Sequence, residues 1–316
     1  MKTHRSIEDI EGLKSTVATI GTFDGVHLGH RAVINQLIAF AKERNAETLI
    51  ITFEPHPRIV LNKDVTNLRF INNLKEKEKL LAKAGVDHLL ILPFTSEFSK
   101  LSARDFIQTY LIDKLHIQAM IVGYDHHFGR MDNGDEDVTI LLKEYGIDVE
   151  RIAVKDVGNI SVSSTKIRKA IMEGDIPYAN RLLGYAYGLC GTVIHGNKLG
   201  RTIGFPTANI MLAFKLKLLP QDGVYAAYAT FKEKRYKAML NIGFKPTVLG
   251  SSRSIEVHLF DFDEEIYGEF LEVQLIEKVR NEKTFSSLDK LKEQLEKDRL
   301  VVAEILSNSS LLDFLR

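Results

Sequence analysis

The run Thr16-Val17-Ala18-Thr19-Ile20-Gly21-Thr22-Phe23-Asp24-Gly25-Val26-His27-Leu28-Gly29-His30 decides how the first half of the chain is read. Its first five residues are apolar or β-branched and predict a strand. Gly21 and Gly25 allow a tight turn and close approach of a ligand. Beyond the turn, Val33, Leu37 and Ala41 fall on one helical stripe with Ile34 and Ile38 beside it. Strand, glycine turn and helix in that order put the turn at the carboxyl end of a parallel strand, where such sheets bind ligands. Gly29 lets a phosphate approach the helix start, whose N–H groups and dipole favour anions. His27 and His30 stand one turn apart, so both rings can face that anion. Donors already in place suit the negative charge that develops on a transferring phosphate.

Outward from this run the alternation continues. Thr48 to Phe53 reads as a strand buried on both faces. A charged helix over Leu74 to Ala84 leads to a strand at His88 to Leu92. Ser102, with Asp105 three residues on, predicts a capped helix carrying Phe106, Tyr110 and Leu111. Further strands are expected at Ala119 to Val122 and Val149 to Val154, with a helix near Val138 to Tyr145 between them. This order predicts a doubly wound parallel sheet. Helices are expected to begin at Thr165 and Ile176.

From about Gly188 the pattern changes. Strand signals at 189–195, 224–231, 236–242, 254–260 and 271–276 follow one another without intervening helices. They predict a small antiparallel β-barrel, closed by a terminal helix with Leu288, Leu291, Leu295 and Leu300. The expected join lies near Gly184 to Gly188, dividing the chain into 1–184 and 185–316.

Composition narrows the functional classes. Lysine plus arginine and aspartate plus glutamate number 42 each in 316 residues, a balance that argues against a whole-surface nucleic-acid or membrane binder. No apolar run approaches the roughly 18 residues of a membrane span, and Met1 to Asp9 contain no apolar leader core. The one cysteine, Cys190, permits no disulfide within the chain and no CxxC zinc site, and its apolar neighbours predict a buried thiol. A cytoplasmic setting is expected.

Two other segments carry chemistry. In Ser163-Ser164-Thr165-Lys166-Ile167-Arg168 a serine caps a helix and donates to phosphate, while Arg168 offers a bidentate fork. In Gly191 to Asn209 the glycines predict a loop able to wrap phosphates, without the ending of a Walker loop. Thr207 and Asn209, two apart on a short strand, present both side chains on one face, where two neutral oxygens could help hold Mg²⁺. Glu256 lies between apolar residues on a strand, which partly desolvates it and suits it to accept a proton.

The string GTFDGVHLGH resembles the His-x-Gly-His signature of the nucleotidyltransferase superfamily and, more narrowly, the FMN adenylyltransferase module of bacterial bifunctional FAD synthetases. Thr52 to Pro57, Gly123 to Gly129 and Ser163 to Arg168 resemble further segments of that module. Gly204-Phe205-Pro206-Thr207-Ala208-Asn209 resembles the motif of riboflavin kinases, and Asn241 to Thr247, Ile255 to Phe262 and Tyr267-Gly268 follow in that family's order. The resemblance implies a Rossmann-like nucleotidyltransferase domain followed by a riboflavin kinase barrel. Riboflavin, FMN, FAD and ATP are the implied substrates and products, with Mg²⁺ assisting. By the same resemblance, Glu256 is the general base, and His27 and His30 serve adenylyl transfer. Gly21, Phe23, Asp24, Gly29, Ser163, Ser164, Thr165, Arg168, Gly196, Gly200 and Arg201 are implied to contact ATP. Asp125 and Arg280 are implied to contact flavin, and Thr207 and Asn209 the metal. Two departures stand out: His126-His127 where the family usually has Phe-Arg, and Lys198-Leu199 ahead of Arg201, where Leu199 is expected to stiffen the loop.

Three alternatives stay open on the sequence. One is adenylyl transfer alone, with the barrel retained for stability or a weak kinase. Another is a flavin-responsive regulatory protein, and a third an adenylyltransferase for a different phosphorylated precursor.

Overall fold

The computed structural model describes residues 1–10, 15–61, 68–123, 137–152, 156–157, 160–196, 198–247 and 250–307. The chain separates into two compact units, Met1–Ser163 and Ser164–Arg316.

In the first unit the elements are β1 (Lys2–His4), β2 (Thr16–Ile20), α1 (Leu28–Glu43), β3 (Glu47–Glu54), α2 (Pro57–Leu61), α3 (Leu74–Lys83) and β4 (His88–Pro93). Then come α4 (Ala103–Phe106), which runs on as a π-helix over Ile107–Lys114, β5 (Ala119–Gly123), α5 (Val138–Glu144), β6 (Asp148–Ile152) and a hairpin of β7 (Asp156–Val157) and β8 (Ile160–Ser161). The sheet order is β1-β4-β3-β2-β5-β6, and every pairing in it is parallel. Side chains alternate between two cores because a strand has a period of two. Val17, Ile50, Leu89, Ile91, Ala119 and Ile121 pack with Ile34 and Leu37 of α1 and Leu81 of α3. Ala18, Ile20, Leu49, Ile51, Leu90, Leu92, Met120 and Val122 pack on the other face with Phe106, Leu111 and Leu141. Truncating one of these fully buried leucines or isoleucines to alanine costs about 2–5 kcal/mol.

The chain winds outward from β2 through β3 to β4, then returns to add β5 and β6 on the other side of β2. The switch point therefore lies between β2 and β5, and the glycine turn leaves the carboxyl end of β2 there. Strand β1 was not expected from the sequence. It has three residues and is held by parallel pairing with β4 and by a bond between His4 Nε2 and His88 Nδ1 at 3.0 Å.

The second unit begins with α6 (Ser164–Glu173) and α7 (Ile176–Leu183). Packing groups both helices with the barrel, whatever the functional division of the chain. Asn180 of α7 is buried, donates to Leu275 O at 3.0 Å and accepts from Tyr187 N at 2.7 Å. There follow β9 (Gly188–Ile194), α8 (Leu199–Thr202), β10 (Ala208–Leu212), β11 (Gly223–Phe231), β12 (Lys234–Thr247), β13 (Gly250–Leu259), β14 (Phe270–Arg280) and α9 (Leu288–Ile305). The six strands close into an antiparallel barrel in the order β10-β13-β12-β11-β14-β9. Such a barrel is too narrow to enclose a helix, so α9 covers its outside, on β11, β12 and β14. Val224, Ala226, Tyr228, Met239 and Ile276 meet Val302 and Leu306 of α9 there, while the alternate residues Ala227, Leu240, Val257 and Leu275 are fully buried.

Two expectations are corrected. Cys190 is half-buried rather than buried, because Leu189, Gly191 and Val193 take the inward positions of β9. Leu300 is 73% exposed and Leu288 also faces outward, while Asp298 and Val302 are the buried residues of α9.

Candidate functional site

In the first unit the site is the β2–α1 turn. The turn is strained: Phe23 and Val26 have φ of 47° and 37°, a region that bulky and β-branched residues avoid, and Gly25 has φ 91°. Both side chains are buried in the core beside α1, which holds the turn in place. Asp24 is buried and accepts from Ile71 N at 3.0 Å and Asn72 N at 3.2 Å. In the described contacts it therefore anchors the segment leading into α3. Gly21 sits against the Phe23 ring, 2.9 Å from where a Cβ would stand. Gly29 has the His27 ring and Val162 O at 3.1 and 3.5 Å from the same point, so the chain entering Ser163 passes the start of α1.

His27 is the N-cap of α1, a position usually filled by Ser, Thr, Asp or Asn. Its Nδ1 accepts from His30 N at 3.3 Å, which leaves the proton of the neutral ring on Nε2. The two rings stack at 3.7 Å between centroids, 14° from parallel, with Phe23 5.1 Å from His30. Burial, reinforced by His27 and Lys77, holds the His30 ring well below its ordinary range, so it is neutral at pH 7. Its Nδ1 is buried with no hydrogen-bond partner among the described residues, a cost that a bound ligand would relieve. Lys77 of α3 is also buried; desolvation lowers it, and Asp24 and Glu54 oppose that. Sequence reading missed Lys77, which looks there like one of several surface lysines.

Ser163, Ser164, Thr165 and Arg168 stand at the start of α6 and within its first turns, with Thr165 exposed and the other three half-buried. Asp125 and the His126-His127 departure lie outside the described residues.

In the second unit a cavity of about 330 Å³ gathers Thr207, Asn209, Asn241, Glu256, His258 and Arg280, with Leu291 and Leu295 of α9 on its wall. The barrel register produces this grouping. Glu256 faces Asn209 on β10 and Asn241 on β12, so the three side chains share one face. Thr207 Oγ1 donates to Glu256 Oε2 at 3.2 Å, which leaves both lone pairs of the hydroxyl oxygen for a cation. Gly196 lies under Asn209, where a Cβ would be 2.2 Å from Nδ2. Gly200 closes a turn with Phe205, whose N–H donates to Gly200 O at 2.8 Å. Arg201 is exposed on α8, and Leu199, which also lines the cavity, begins that helix after Lys198 in the left-handed region at φ 57°.

Arg280 lines the cavity and is paired with a carboxylate of α9. Its Nη2 lies 2.7 Å from Asp298 Oδ2 and its Nε donates to both carboxylate oxygens, while Gln294 Nε2 donates to Oδ1 at 2.8 Å. The carboxylate thus fixes the guanidinium at the cavity edge. The stripe Leu291, Leu295, Asp298, Val302 on α9 contained the signal for Asp298. His258 is the other missed residue: buried, between Phe205 and Phe260, and lowered from its ordinary range by burial although its bond to Pro206 O acts the other way.

Among the described residues no cluster of three His, Cys, Asp or Glu is positioned to hold a metal ion, and no helix is long and apolar enough to cross a membrane. Thr207, Asn209 and one carboxylate are hard oxygen donors that fit a magnesium ion taking its remaining ligands from phosphates and water.

Comparison with known proteins matches each unit separately. Residues 9–166 match the FAD synthetase family and residues 183–306 the riboflavin kinase family. A bifunctional riboflavin kinase/FMN adenylyltransferase from Buchnera aphidicola of Schizaphis graminum is 41% identical over 96% of this chain and 98% of its own. One of the same name from Escherichia coli K12 is 38% identical over 96% and 97%. A solved structure from Streptococcus pneumoniae, named a macrolide-efflux protein, is 33% identical and covers 96% of this chain and 98% of its own at a TM-score of 0.86.

Proposed function

The chain belongs to the bifunctional riboflavin kinase/FMN adenylyltransferase family, and we propose that residues 1–184 carry the adenylyl transfer and residues 185–316 the phosphorylation. The protein makes FMN from riboflavin and ATP, and FAD and pyrophosphate from FMN and ATP. The extents of the two family matches support the division. The observation that carries the assignment of residues is the bond from Thr207 to Glu256 inside the cavity of the second unit.

In phosphorylation Glu256 takes the proton of the terminal ribityl hydroxyl as its oxygen attacks the γ-phosphorus of ATP. The bond from that phosphorus to the bridging oxygen breaks, and ADP leaves. Asn241 and Asn209 flank the carboxylate. Thr207 and Asn209 would hold Mg²⁺ together with the ATP phosphates; when bound, the ion neutralises phosphate charge. Arg280, fixed by Asp298, borders the flavin.

In adenylyl transfer a phosphate oxygen of FMN attacks the α-phosphorus of ATP and pyrophosphate departs. His27, with its proton on Nε2, and neutral His30 supply donors without adding a full charge. The start of α1 at Gly29 receives the phosphates. Asp24 is assigned an indirect part there, through the segment it anchors. We place the enzyme in the cytoplasm, a reading supported by its use of ATP.

Chromatography of products formed from Mg²⁺-ATP with riboflavin, and separately with FMN, tests the reading. Both FMN and FAD are expected from riboflavin. FAD from FMN with nothing from riboflavin would leave the barrel without its kinase role, and no product from either flavin would overturn the whole assignment.

A further inference from the structure

We propose that His258 is a positioning residue of the phosphorylation site, and that its imidazole fastens the segment Pro206–Thr207 to β13 so that Thr207 meets Glu256. The proposal rests on the assignment of phosphorylation to the barrel. His258 is 7% exposed and lines the cavity two residues along β13 from Glu256, on the same face. Its Nδ1 lies 2.8 Å from Pro206 O. A carbonyl oxygen only accepts, so Nδ1 carries the proton and the tautomer is fixed.

The position of this bond gives it a purpose. The β10–β13 ladder starts at the pair Ala208 and Val257. Continued upstream, it would next set Thr207 opposite His258, but β10 begins only at Ala208. Pro206 also has no N–H to offer a ladder. The side chain of His258 supplies the missing rung. Two bonds then tie neighbouring residues of the loop to residues of β13: Pro206 O to His258, and Thr207 Oγ1 to Glu256 Oε2 at 3.2 Å. Phe205 and Phe260, with ring centroids 5.2 and 5.6 Å from the imidazole, hold it in place. Without the His258 bond, the described side-chain bond that still ties the loop to β13 here is that of Thr207, at the hydroxyl whose position matters for the chemistry.

The test compares H258F, H258N and H258Q in the full-length protein. Phenylalanine keeps a ring and loses the donor. Asparagine sets its amide nitrogen on Cγ, where Nδ1 stands, and glutamine sets it one bond further out. Riboflavin phosphorylation, FMN adenylylation and amide hydrogen exchange of residues 200–207 are measured on the same preparations. H258F is expected to lower the kcat of phosphorylation about 100-fold, the cost of a reacting group displaced by about 1 Å. KM for ATP should move less than kcat, and adenylylation should stay at the wild-type rate. H258N should recover most of the lost kcat and keep exchange slow, whereas H258F and H258Q should speed exchange in this segment. Undiminished kcat in H258F, or H258N as slow as H258F, would overturn the proposal. If H258F does not fold, the asparagine and glutamine variants decide, and equal behaviour of those two overturns it. A wild-type protein that fails to phosphorylate riboflavin sinks the functional assignment instead, and the exchange comparison then settles the role of His258 by itself.

Discussion

Replacing Asp298 with alanine removes a carboxylate that is almost wholly enclosed, its side chain 3% exposed, against an Arg280 side chain 13% exposed. Three contacts with Arg280 at 2.7–3.1 Å and one with Gln294 at 2.8 Å disappear together. The guanidinium stays inside with its charge unmatched, and breaking such a pair costs about 3–5 kcal/mol. That is a large share of the roughly 5–15 kcal/mol that holds a domain folded. Urea unfolding followed by far-UV circular dichroism reads the loss as a lower midpoint of the transition belonging to the barrel, since the two units need not unfold together. The double replacement R280M/D298L removes both charges and fills the space with apolar atoms, so it should be more stable than D298A alone. A D298A midpoint within about 1 kcal/mol of wild type, or a double variant no better than the single one, would refute the view that an unpaired buried charge sets the cost.

Glu256→Gln should abolish riboflavin phosphorylation while FAD formation from FMN continues; retention of both activities would remove the base assignment. Gly200→Ala brings a Cβ to 2.1 Å from Phe205 O, so the loop ahead of Thr207 must shift at a cost of about 1–3 kcal/mol, and phosphorylation alone should slow in the product assay. For His30 the folded ring is held below its ordinary range, chiefly by burial, whereas the unfolded ring titrates near 6.5. The unfolded chain therefore binds more protons below pH 6.5. The contribution is fully present above that pH and is lost as pH falls toward the folded value, by up to about 1.4 kcal/mol per pH unit. Urea midpoints between pH 7.5 and 5.5 should fall less steeply in H30Q than in wild type, and parallel slopes would contradict this.

The parallel sheet was legible because its strands are buried on both faces and read as continuous apolar runs, with α1 marked by a helical stripe. The barrel was legible from the close spacing of its strands. Strand β1 was not, because Lys2-Thr3-His4 has no apolar pattern and is a strand only by virtue of β4. The π-helical turn after α4 left no mark either, since Phe106, Tyr110 and Leu111 serve both kinds of helix. At the sites, glycines and motif residues announced themselves, while the groups that steady them did not. Asp298 reads as an exposed helix residue until Leu291, Leu295 and Val302 are seen on its stripe. Asp24 reads as a ligand residue, although its described bonds run to the backbone of Ile71 and Asn72. Partners distant in sequence are invisible to local pattern.

The closed barrel and the open sheet expose the growing chain to different hazards. Closure leaves the barrel without an unpaired edge. The finished sheet ends at β1, three residues long, and at β6, which carries Asp148, Glu150 and Arg151, and short or charged edges discourage pairing with another molecule. During synthesis the protection is incomplete. Strand β2 gains its second neighbour only when β5 has been made, so between the emergence of β4 and of Gly123 one side of Thr16–Ile20 is an uncharged, unpaired edge. That interval is when a translating chain is most open to strand exchange with its neighbours on a polysome.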